Sequence, residues 1–328
     1  MRKGLVLGKF MPLHNGHLAL INFAQKHCEQ LIVLLCYTNN EPICGQQRLQ
    51  WLKETFADQP KIEVHCLLYD EKKLANTSDY SEEASIGWSK ELKKQYPDIS
   101  VLFTSEEYGA HVAQLMHIDH KSYDPERKEQ PISAYQIRAN PFQYWEFLPS
   151  AVRPYYLKRV CLVGSESTGK STLAERLAKY FNTVYVPEMA RDIIAHTEEC
   201  TIDHLHQIAS AQAKAIEERK KSANRVLICD TDVNITKSYS RFLFNQDLIV
   251  DDWIEKVNRF DLHIFLEPDC PFVQDGTRLD EEMRNKLSLF HKEQFESASI
   301  PFISVGGDWN QRFQQCCRLI NKFIFSAS

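Results

Sequence analysis

The sequence predicts an α/β protein with two doubly wound parallel sheets, one in each half of the chain. Apolar strands alternate with helices throughout, as in βαβ units, and each half has a glycine-containing loop directly after its first strand. Pro149 and Pro154 interrupt this alternation within residues 148–158, and a new apolar strand follows them. A length of 328 residues also favours about two domains. We therefore predict domains at residues 1–150 and 158–328.

The first half contains continuous apolar runs of the kind found in parallel strands that are covered on both faces. Helical periodicity between these runs places apolar residues on one face, for example Leu49, Leu52 and Phe56. In chain order, the predicted elements are strand Gly4–Leu7, helix Leu18–His27, strand Leu31–Tyr37, helix Gln46–Phe56, strand Ile62–Leu68, a helix around Ile86–Gln95 and strand Val101–Thr104.

The second half repeats this alternation without repeating the sequence of the first. Its predicted elements are strand Arg159–Val163, helix Thr172–Phe181, strand Thr183–Val186, helix Ile202–Ser222, and strands Arg225–Cys229, Leu262–Leu266 and Ile303–Val305.

Composition excludes several classes of protein. The net charge of −5 and the pI of about 6.2 provide no general basic field for nucleic acid, so anionic substrates must be held by local groups. No apolar run reaches membrane length, and no leader is visible at the N-terminus. The ten cysteines have no zinc-type spacing and several lie inside apolar runs, as expected of unpaired core cysteines in the cytoplasm.

The first glycine-containing loop has the pattern Pro-x-His-x-Gly-His, which is typical of nucleotidylyl transfer. Its candidate nucleotide-binding residues are Gly8, Lys9, Phe10 and Gly16, and its candidate catalytic residues are His14 and His17. The helix that follows presents its N-terminal N–H groups to phosphate. Displacement of pyrophosphate by an ionised phosphate requires charge stabilisation and alignment more than acid–base catalysis. The alternative is two ordinary turn histidines after a strand.

A second segment of the first half supports this interpretation. Residues 131–138, Pro-Ile-Ser-Ala-Tyr-Gln-Ile-Arg, resemble the Ile-Ser-x-Thr-x-x-Arg segment of the nucleotidylyltransferase superfamily. Ser133 is predicted to cap a helix, and Arg138 to reach the β- and γ-phosphates as a catalytic cation. Tyr135 stands where that segment has threonine, which removes one hydroxyl contact to phosphate and predicts slow turnover at this site.

The second loop is a Gly-x4-Gly-Lys-Ser P-loop between a strand and a helix, the context that this motif requires. Loop N–H groups cradle phosphates, Lys170 reaches the β/γ oxygens, and Ser171 is a magnesium ligand. Asp230 ends an apolar strand at the Walker B position and is the second predicted metal ligand and a catalytic residue, with Asp232 as the alternative. The predicted nucleotide-binding residues are Gly164, Ser165, Glu166, Ser167, Thr168, Gly169, Lys170, Ser171 and Thr172.

Together these segments resemble the NadR family of bifunctional nicotinamide mononucleotide adenylyltransferases and ribosylnicotinamide kinases. The resemblance covers nearly the whole chain and includes residues 8–17, 105–109, 124–138, 145–148 and the P-loop half. It implies a Rossmann-like nucleotidylyltransferase domain followed by a P-loop kinase domain. It also implies ATP as substrate, Mg²⁺ as cofactor, and nicotinamide riboside, NMN and NAD as ligands.

The resemblance further implies several substrate-binding residues, each with a structural alternative. Trp88 is a candidate platform for the nicotinamide ring or a core residue, and Arg48 a nucleotide contact or a solvated charge. Glu188 is a candidate catalytic base or ribose ligand, or a carboxylate at a helix N-terminus. Arg191 is a further substrate-binding candidate, and Arg278 either approaches the transferred phosphoryl group or forms a surface ion pair.

The implied activity is phosphorylation of nicotinamide riboside by the second domain and adenylyl transfer to the resulting NMN by the first. One alternative is a riboside kinase whose first domain is catalytically weak, as Tyr135 indicates. Another is a NAD-sensing regulator, but the adenylyltransferase motif starts within eight residues of Met1 and leaves no room for a preceding helix-turn-helix domain. We expect no binding to nucleic acid or membrane, and homo-oligomer formation is left open.

Overall fold

The computed structural model describes residues 2–72, 74, 81–194, 199–274 and 279–325. The chain divides into two compact units, residues 1–152 and 153–328. In the described part of the chain, no helix combines the length and the apolar character needed to cross a membrane.

The first unit is built on a five-stranded parallel sheet with the order β3-β2-β1-β4-β5. The central strand, β1, is almost entirely buried and pairs with β2 on one side and β4 on the other. The chain therefore changes direction across the sheet between β1 and β4, which is where open α/β sheets bind ligands. The strands are β1 (Lys3–Gly8), β2 (Gln30–Tyr37), β3 (Ile62–Leu68), β4 (Val101–Thr104) and β5 (Asp119–Ser122).

Helices connect these strands, and several begin at a side chain that caps them. Ser81 accepts a hydrogen bond from the N–H of Ala84, and Ser133 forms a complete capping box with Gln136. The helices are α1 (Asn15–Gln25), α2 (Gly45–Thr55), α3 (Glu82–Gln95), α4 (Tyr108–Met116) and α5 (Ala134–Ala139), with a 3₁₀ turn at Trp145–Phe147.

The second unit has its own five-stranded parallel sheet, with the order β10-β9-β6-β8-β7. Its first strand, β6, lies at the centre between β8 and β9, so the loop that follows β6 opens at the middle of the sheet edge. The strands are β6 (Lys158–Val163), β7 (Tyr185–Val186), β8 (Val226–Asp230), β9 (Leu262–Leu266) and β10 (Ile303–Val305).

The helices of the second unit also connect parallel strands, as in the first unit. They are α6 (Arg153–Tyr156), α7 (Lys170–Tyr180), α8 (Ile202–Arg219), α9 (Val233–Phe244), α10 (Asp252–Val257), α11 (Glu281–Ser297) and α12 (Trp309–Phe325), with a 3₁₀ turn at Met189–Asp192. Both doubly wound parallel sheets that the sequence predicts are confirmed.

Three local differences from the sequence prediction have physical causes. β5 was not predicted, because this edge strand pairs only with β4 and its residues are polar (Asp-His-Lys-Ser) rather than apolar. α1 starts three residues earlier than periodicity indicates, because His14 caps it. β7 is two residues shorter than predicted, because the backbone N–H of Thr183 bonds the carbonyl of Ala178 in α7 (2.9 Å), and only its side-chain hydroxyl reaches the carbonyl of Val226 in β8 (2.6 Å).

Candidate active sites

The first candidate site is a cavity of about 600 Å³ at the carboxyl ends of β1 and β4. It lies at the switch point of the sheet, where the loop after β1 meets the start of α5. Eight residues predicted for this site line it together: Gly8, Lys9, Phe10, His14, Gly16, His17, Ser133 and Arg138.

The two histidines of this site are stacked on each other. Their ring centroids are 3.8 Å apart with an interplanar angle of 29°, and the ring of Phe10 packs against His17 edge-on at 5.0 Å. The Nδ1 atom of His14 accepts a hydrogen bond from the N–H of Gly16 (3.1 Å), so this nitrogen carries no proton. The loop therefore fixes the orientation and the tautomer of His14.

Both imidazoles are held in the neutral form. Burial and the nearby Arg127 cation lower the pKa of His14 to about 3. Burial lowers the pKa of His17 well below its usual value, and His14 and Arg127 act in the same direction. The Nδ1 atom of His17 is buried without a hydrogen-bond partner in the described part of the chain. A neutral ring can donate a hydrogen bond to a phosphate oxygen that enters the cavity.

Gly16 is required by the geometry of this loop. A Cβ atom at this position would lie 2.9 Å from the Cε1 atom of His14. Any other residue would therefore displace the histidine that caps α1. The glycine thus serves the packing of the loop.

Arg138 lies on α5 and donates a hydrogen bond to the backbone carbonyl of Met11, inside the Pro-x-His-x-Gly-His loop. The capping box at Ser133 fixes the start of this helix, so the two predicted phosphate-binding segments are joined. Tyr135 also lines the cavity and is 74% exposed.

Arg48 and Trp88 do not line this cavity. Arg48 is fully buried, donates a hydrogen bond to the carbonyl of Lys9 (2.7 Å) and pairs with Glu41. Its burial excludes the alternative of a solvated charge, and its bond to Lys9 supports the loop. Trp88 is buried in the core and packs edge-on against Tyr69 with centroids 5.2 Å apart. The ligand roles of both residues stay predictions.

Two further residues of the site lie in the loop after β5. The Asp124 carboxylate accepts hydrogen bonds from the N–H groups of residues 128–130 and folds this loop over the cavity. Arg127, which lines the cavity and acts on both histidines, adopts the left-handed conformation with φ of 52°. Arg127 had no predicted role, although the run Asp-Pro-Glu-Arg is a visible turn signal in the sequence.

The second candidate site is a cavity of about 250 Å³ beside the P-loop, which connects β6 to α7. Its walls contain Glu166, Ser167, Gly169, Lys170, Ser171, Thr172, Glu188 and Arg191. The P-loop and the turn after β7 are therefore brought together as predicted from the sequence.

The P-loop backbone has the shape of a phosphate cradle. Gly164 and Gly169 have φ of 139° and 82°, values that side chains rarely adopt, and Ser167 has φ of 55°. The Lys170 ammonium group is folded back onto the carbonyls of Gly164 (3.0 Å) and Ser165 (2.9 Å). The loop carbonyls thus hold the lysine ammonium group against the loop. Gly164, Ser165 and Thr168 form the base of the loop and do not line the cavity.

Asp230 ends β8 below the P-loop and is fully buried. Neither carboxylate oxygen has a hydrogen-bond partner of good geometry among the described residues, although the Ser171 hydroxyl is close enough to lower its pKa. Burial and the Glu188 carboxylate outweigh this effect and raise the pKa of Asp230 to about 6. Two unpartnered oxygens beside a hydroxyl form a donor set that fits a hard cation such as Mg²⁺.

Asp232, the alternative metal ligand, is already engaged. One carboxylate oxygen caps α9 through the N–H of Ile235 (3.1 Å), and the other accepts from Asn234 (2.6 Å) and faces Nε2 of His263 (3.1 Å). Cys161 completes a buried group whose potential ligand atoms lie within 4.8 Å of one another. Because the Asp232 oxygens are occupied, we interpret this group as a packed polar core.

Glu188 and Arg191 belong to the turn after β7, where their side chains are 3.7 Å apart. This turn is fastened to β8 by Gln212, a fully buried residue of α8 that sequence reasoning missed. Gln212 accepts a hydrogen bond from the N–H of Met189 (3.0 Å) and donates to the carbonyls of Asp230 (3.3 Å) and Thr231 (3.5 Å). The sequence signal that could have identified Gln212 is a polar glutamine on the apolar face of a helix.

Two contacts extend the site toward α9 and the segment before α11. Tyr239 lines the cavity and its hydroxyl lies 3.3 Å from the Glu166 carboxylate, whose other oxygen accepts from the N–H of Leu279 (3.0 Å). The predicted Arg278 contact lies outside the described residues.

Two protein families match separate parts of the chain. The cytidylyltransferase-like family matches residues 5–140, and the AAA domain family matches residues 159–312. The trifunctional NAD biosynthesis/regulator protein NadR of Escherichia coli (strain K12) is 32% identical over 343 residues, which cover 98% of this chain and 83% of the relative.

Two solved structures share the fold of both units. A NadR protein in complex with NR has a TM-score of 0.76 at 22% identity, and a NadR protein in complex with NAD and AMP-PNP has a TM-score of 0.77 at 21% identity. Each alignment covers 98% of this chain and 96% of the solved chain.

Proposed function

Because this chain belongs to the NadR family, we propose that it makes NAD from nicotinamide riboside in two steps that both consume ATP. The second unit phosphorylates the riboside to NMN, and the first unit transfers the adenylyl group of another ATP to NMN. The observation that carries this proposal is the presence of two separate cavities, each built around a different phosphate-binding loop.

In the kinase step, the 5′-hydroxyl oxygen of the riboside attacks the γ-phosphorus of ATP. The bond from this phosphorus to the bridging oxygen breaks, and ADP leaves. Glu188 lies in the wall of the cavity and accepts the hydroxyl proton, while Lys170 exchanges its bonds to the loop carbonyls for bonds to phosphate oxygens.

Ser171 and Asp230 are the residues that would hold Mg²⁺ at this site, directly or through water. The two unpartnered oxygens of Asp230 support this assignment. When bound, the ion would supply positive charge to the β- and γ-phosphates.

In the adenylyl transfer step, a phosphate oxygen of NMN attacks the α-phosphorus of ATP and pyrophosphate leaves. The attacking group is already ionised, so the site has to align the reactants and stabilise charge. His17 donates a hydrogen bond from a neutral ring, and Arg127 and Arg138 supply positive charge at the cavity wall. Neutral imidazoles suit this role because no proton has to be removed from the nucleophile.

Product analysis of two variants tests the two-site proposal. Lys170→Ala should still convert NMN to NAD but fail to use the riboside, whereas His17→Ala should accumulate NMN from the riboside. Each loss should be about 100- to 1000-fold, as for one preorganised donor. Lys179→Ala, which changes an exposed lysine of the same helix, is the matched control. If Lys170→Ala loses both reactions while it stays folded, the proposal is wrong and a single shared ATP site is required.

A second candidate is a riboside kinase with a weak adenylyltransferase unit. Tyr135 favours it, because this side chain lies in the cavity wall where the superfamily segment has threonine. Wild-type protein incubated with nicotinamide riboside, ATP and Mg²⁺ should yield both NMN and NAD by mass spectrometry. NMN alone would establish the kinase-only alternative, and Tyr135→Thr should then increase NAD formation.

We further propose that the enzyme acts in the cytoplasm without binding nucleic acid, in keeping with its net charge of −5 and its unpaired cysteines. The Escherichia coli relative is named a regulator, so a gel-shift assay with promoter DNA is the direct test. Specific binding would contradict the proposal.

A further inference from the structure

Trp309 is a large aromatic side chain that is left half-exposed beside the P-loop. It is the first residue of α12 and is 49% exposed. Its six-membered ring packs directly over Gly169, because a Cβ atom at that glycine would lie only 2.2 Å from the indole. One part of the ring therefore covers the phosphate-binding loop while much of its surface is open to solvent.

The position of Trp309 is fixed by the structure around it. Asp308 and Gln311 form a reciprocal capping box at the start of α12: the Asp308 carboxylate accepts from the N–H of Gln311 (2.9 Å), and the Gln311 side chain accepts from the N–H of Asp308 (3.0 Å). The first turn of the helix, and the indole on it, are thus held in place before any ligand arrives.

Arg312 joins this turn to the P-loop. It is fully buried and donates to the carbonyls of Thr168 (3.0 Å), Glu267 (2.9 Å) and Gly307 (2.7 Å). The same side chain therefore braces the P-loop, the end of β9 and the loop before Trp309. A rigid aromatic group with an open surface next to a phosphate cradle has the properties of a preorganised ligand platform.

The order of the strands indicates which part of a ligand would meet this platform. Glu188, the proposed base for the acceptor hydroxyl, follows β7, and Asp230, the proposed Mg²⁺ ligand, ends β8; both strands lie on one side of the P-loop strand. Trp309 follows β10 on the other side. A triphosphate seated on the P-loop with its γ-phosphate toward β8 must direct its nucleoside toward β9 and β10.

We propose that Trp309 is the stacking platform for the base of the nucleoside triphosphate that donates the phosphoryl group in the second unit. Stacking on an indole favours a large purine over a smaller pyrimidine, so Trp309 also contributes to the preference for ATP. This inference rests on the proposed kinase function of the same site. The alternative is that the indole only covers Gly169 and has no contact with the nucleotide.

The test is riboside kinase kinetics with ATP and with CTP in the full-length chain. Loss of one base–aromatic stack costs about 1–3 kcal/mol, so Trp309→Leu should raise the KM for ATP by about 5- to 150-fold. The KM for CTP should rise less, the KM for the riboside should stay unchanged, and Trp309→Phe should recover most of the ATP affinity. An unchanged KM for ATP in folded Trp309→Leu overturns the inference, as does an equal rise for ATP and CTP.

Trp253→Leu is the matched control, since Trp253 is a 38% exposed tryptophan on α10 of the same unit and, unlike Trp309, is not among the nearest neighbours of Gly164 or Gly169. It should leave both KM values unchanged. Adenylyl transfer from ATP to NMN should also be unchanged in Trp309→Leu, because it belongs to the first unit. An unchanged KM for the riboside and an unchanged thermal unfolding curve exclude misfolding of the second unit.

Binding of Mg·ADP separates failure of this inference from failure of the proposed kinase function. Calorimetry on wild type and on Lys170→Ala identifies the binding component that belongs to the P-loop. If wild type fails to phosphorylate the riboside, the kinase function is wrong. The role of Trp309 as a platform is then still tested by its effect on the P-loop component of ADP binding. Weaker ADP binding in Trp309→Leu supports it, and equal binding overturns it.

Discussion

His14 and His17 owe their chemical state to burial, although histidine usually titrates near neutral pH. Burial lowers the pKa of His14 to about 3, and the pKa of His17 also lies well below its usual value. A group with a lowered pKa is neutral at every pH above that value, so both rings stay uncharged across the physiological range. The site therefore uses arginine for positive charge and histidine for hydrogen bonding.

We expect neither ring to titrate between pH 5 and 8. NMR of the imidazole signals should show His14, assigned with His14→Asn, without a transition in this range, and kcat/KM for adenylyl transfer should have no histidine inflection near pH 6.5. A midpoint near 6.5 for His14 would show that the ring is solvated and would contradict the mechanism.

Asp230 and Asp232 lie two residues apart but have different surroundings. Asp230 keeps both oxygens unpartnered in the described part of the chain, while Asp232 uses both to hold α9, Asn234 and His263. An Asp→Asn substitution at each position therefore distinguishes the metal ligand from the carboxylate that has a structural role.

Asp230→Asn should reduce riboside phosphorylation by about 100- to 1000-fold while ATP still binds, because a charge next to the phosphates is lost. Asp232→Asn retains a cap oxygen for α9 and should keep most of the activity. Steady-state kinetics at several Mg²⁺ concentrations measure both effects. The reverse pattern would place the metal ligand at Asp232.

At the scale of elements, α8 connects the two strand ends that form the acceptor side of the second site. Through Gln212 it binds the turn after β7, which carries Glu188, and the end of β8, which carries Asp230. The distance between the two carboxylates thus depends on one amide side chain in a helix that itself contributes no proposed catalytic group.

Gln212→Met keeps the volume of this side chain but removes its hydrogen bonds. We expect a 10- to 100-fold lower kcat for riboside phosphorylation with a little-changed KM for ATP, because misalignment of about 1 Å has effects of roughly this size. Unpaired buried groups should also lower the stability by about 1–3 kcal/mol. Gln207→Met, on the exposed face of the same helix, is the control. An unchanged kcat would show that the turn after β7 is positioned without Gln212.

At the scale of the whole molecule, each unit has a complete parallel sheet with its own buried strands and its own phosphate-binding loop. Neither sheet borrows a strand from the other, and each central strand is covered by helices of its own unit. Each unit thus meets the structural requirements for independent folding.

A fragment of residues 153–328 should therefore fold and phosphorylate nicotinamide riboside at a rate within a few-fold of the full chain. Circular dichroism, thermal unfolding and NMN formation measure this. The start at residue 153 retains α6, which a fragment beginning at the predicted boundary of residue 158 would lose. An insoluble or inactive fragment beside an active full chain would show that the units depend on each other.

The sequence by itself determined the two sheets, their phosphate-binding loops and the family. Strand and helix periodicity, and motifs whose residues are close along the chain, carry this information, because 3.6- and 2-residue periods and loop spacings are local properties. The His14–Gly16 bond spans two residues and the Lys170–Gly164 bond spans six, so these contacts are already present in the motif.

The tertiary structure decided the roles that depend on contacts between distant residues. Arg48 reaches the carbonyl of Lys9 across 39 residues, Gln212 reaches Asp230 across 18, and Arg312 reaches the P-loop across 144. The spacing of residues within a segment does not show which buried polar group elsewhere in the chain will be the hydrogen-bond partner of a given residue. Only the packed sheets bring these groups to hydrogen-bonding distance, because burial requires each to find a partner wherever the fold provides one.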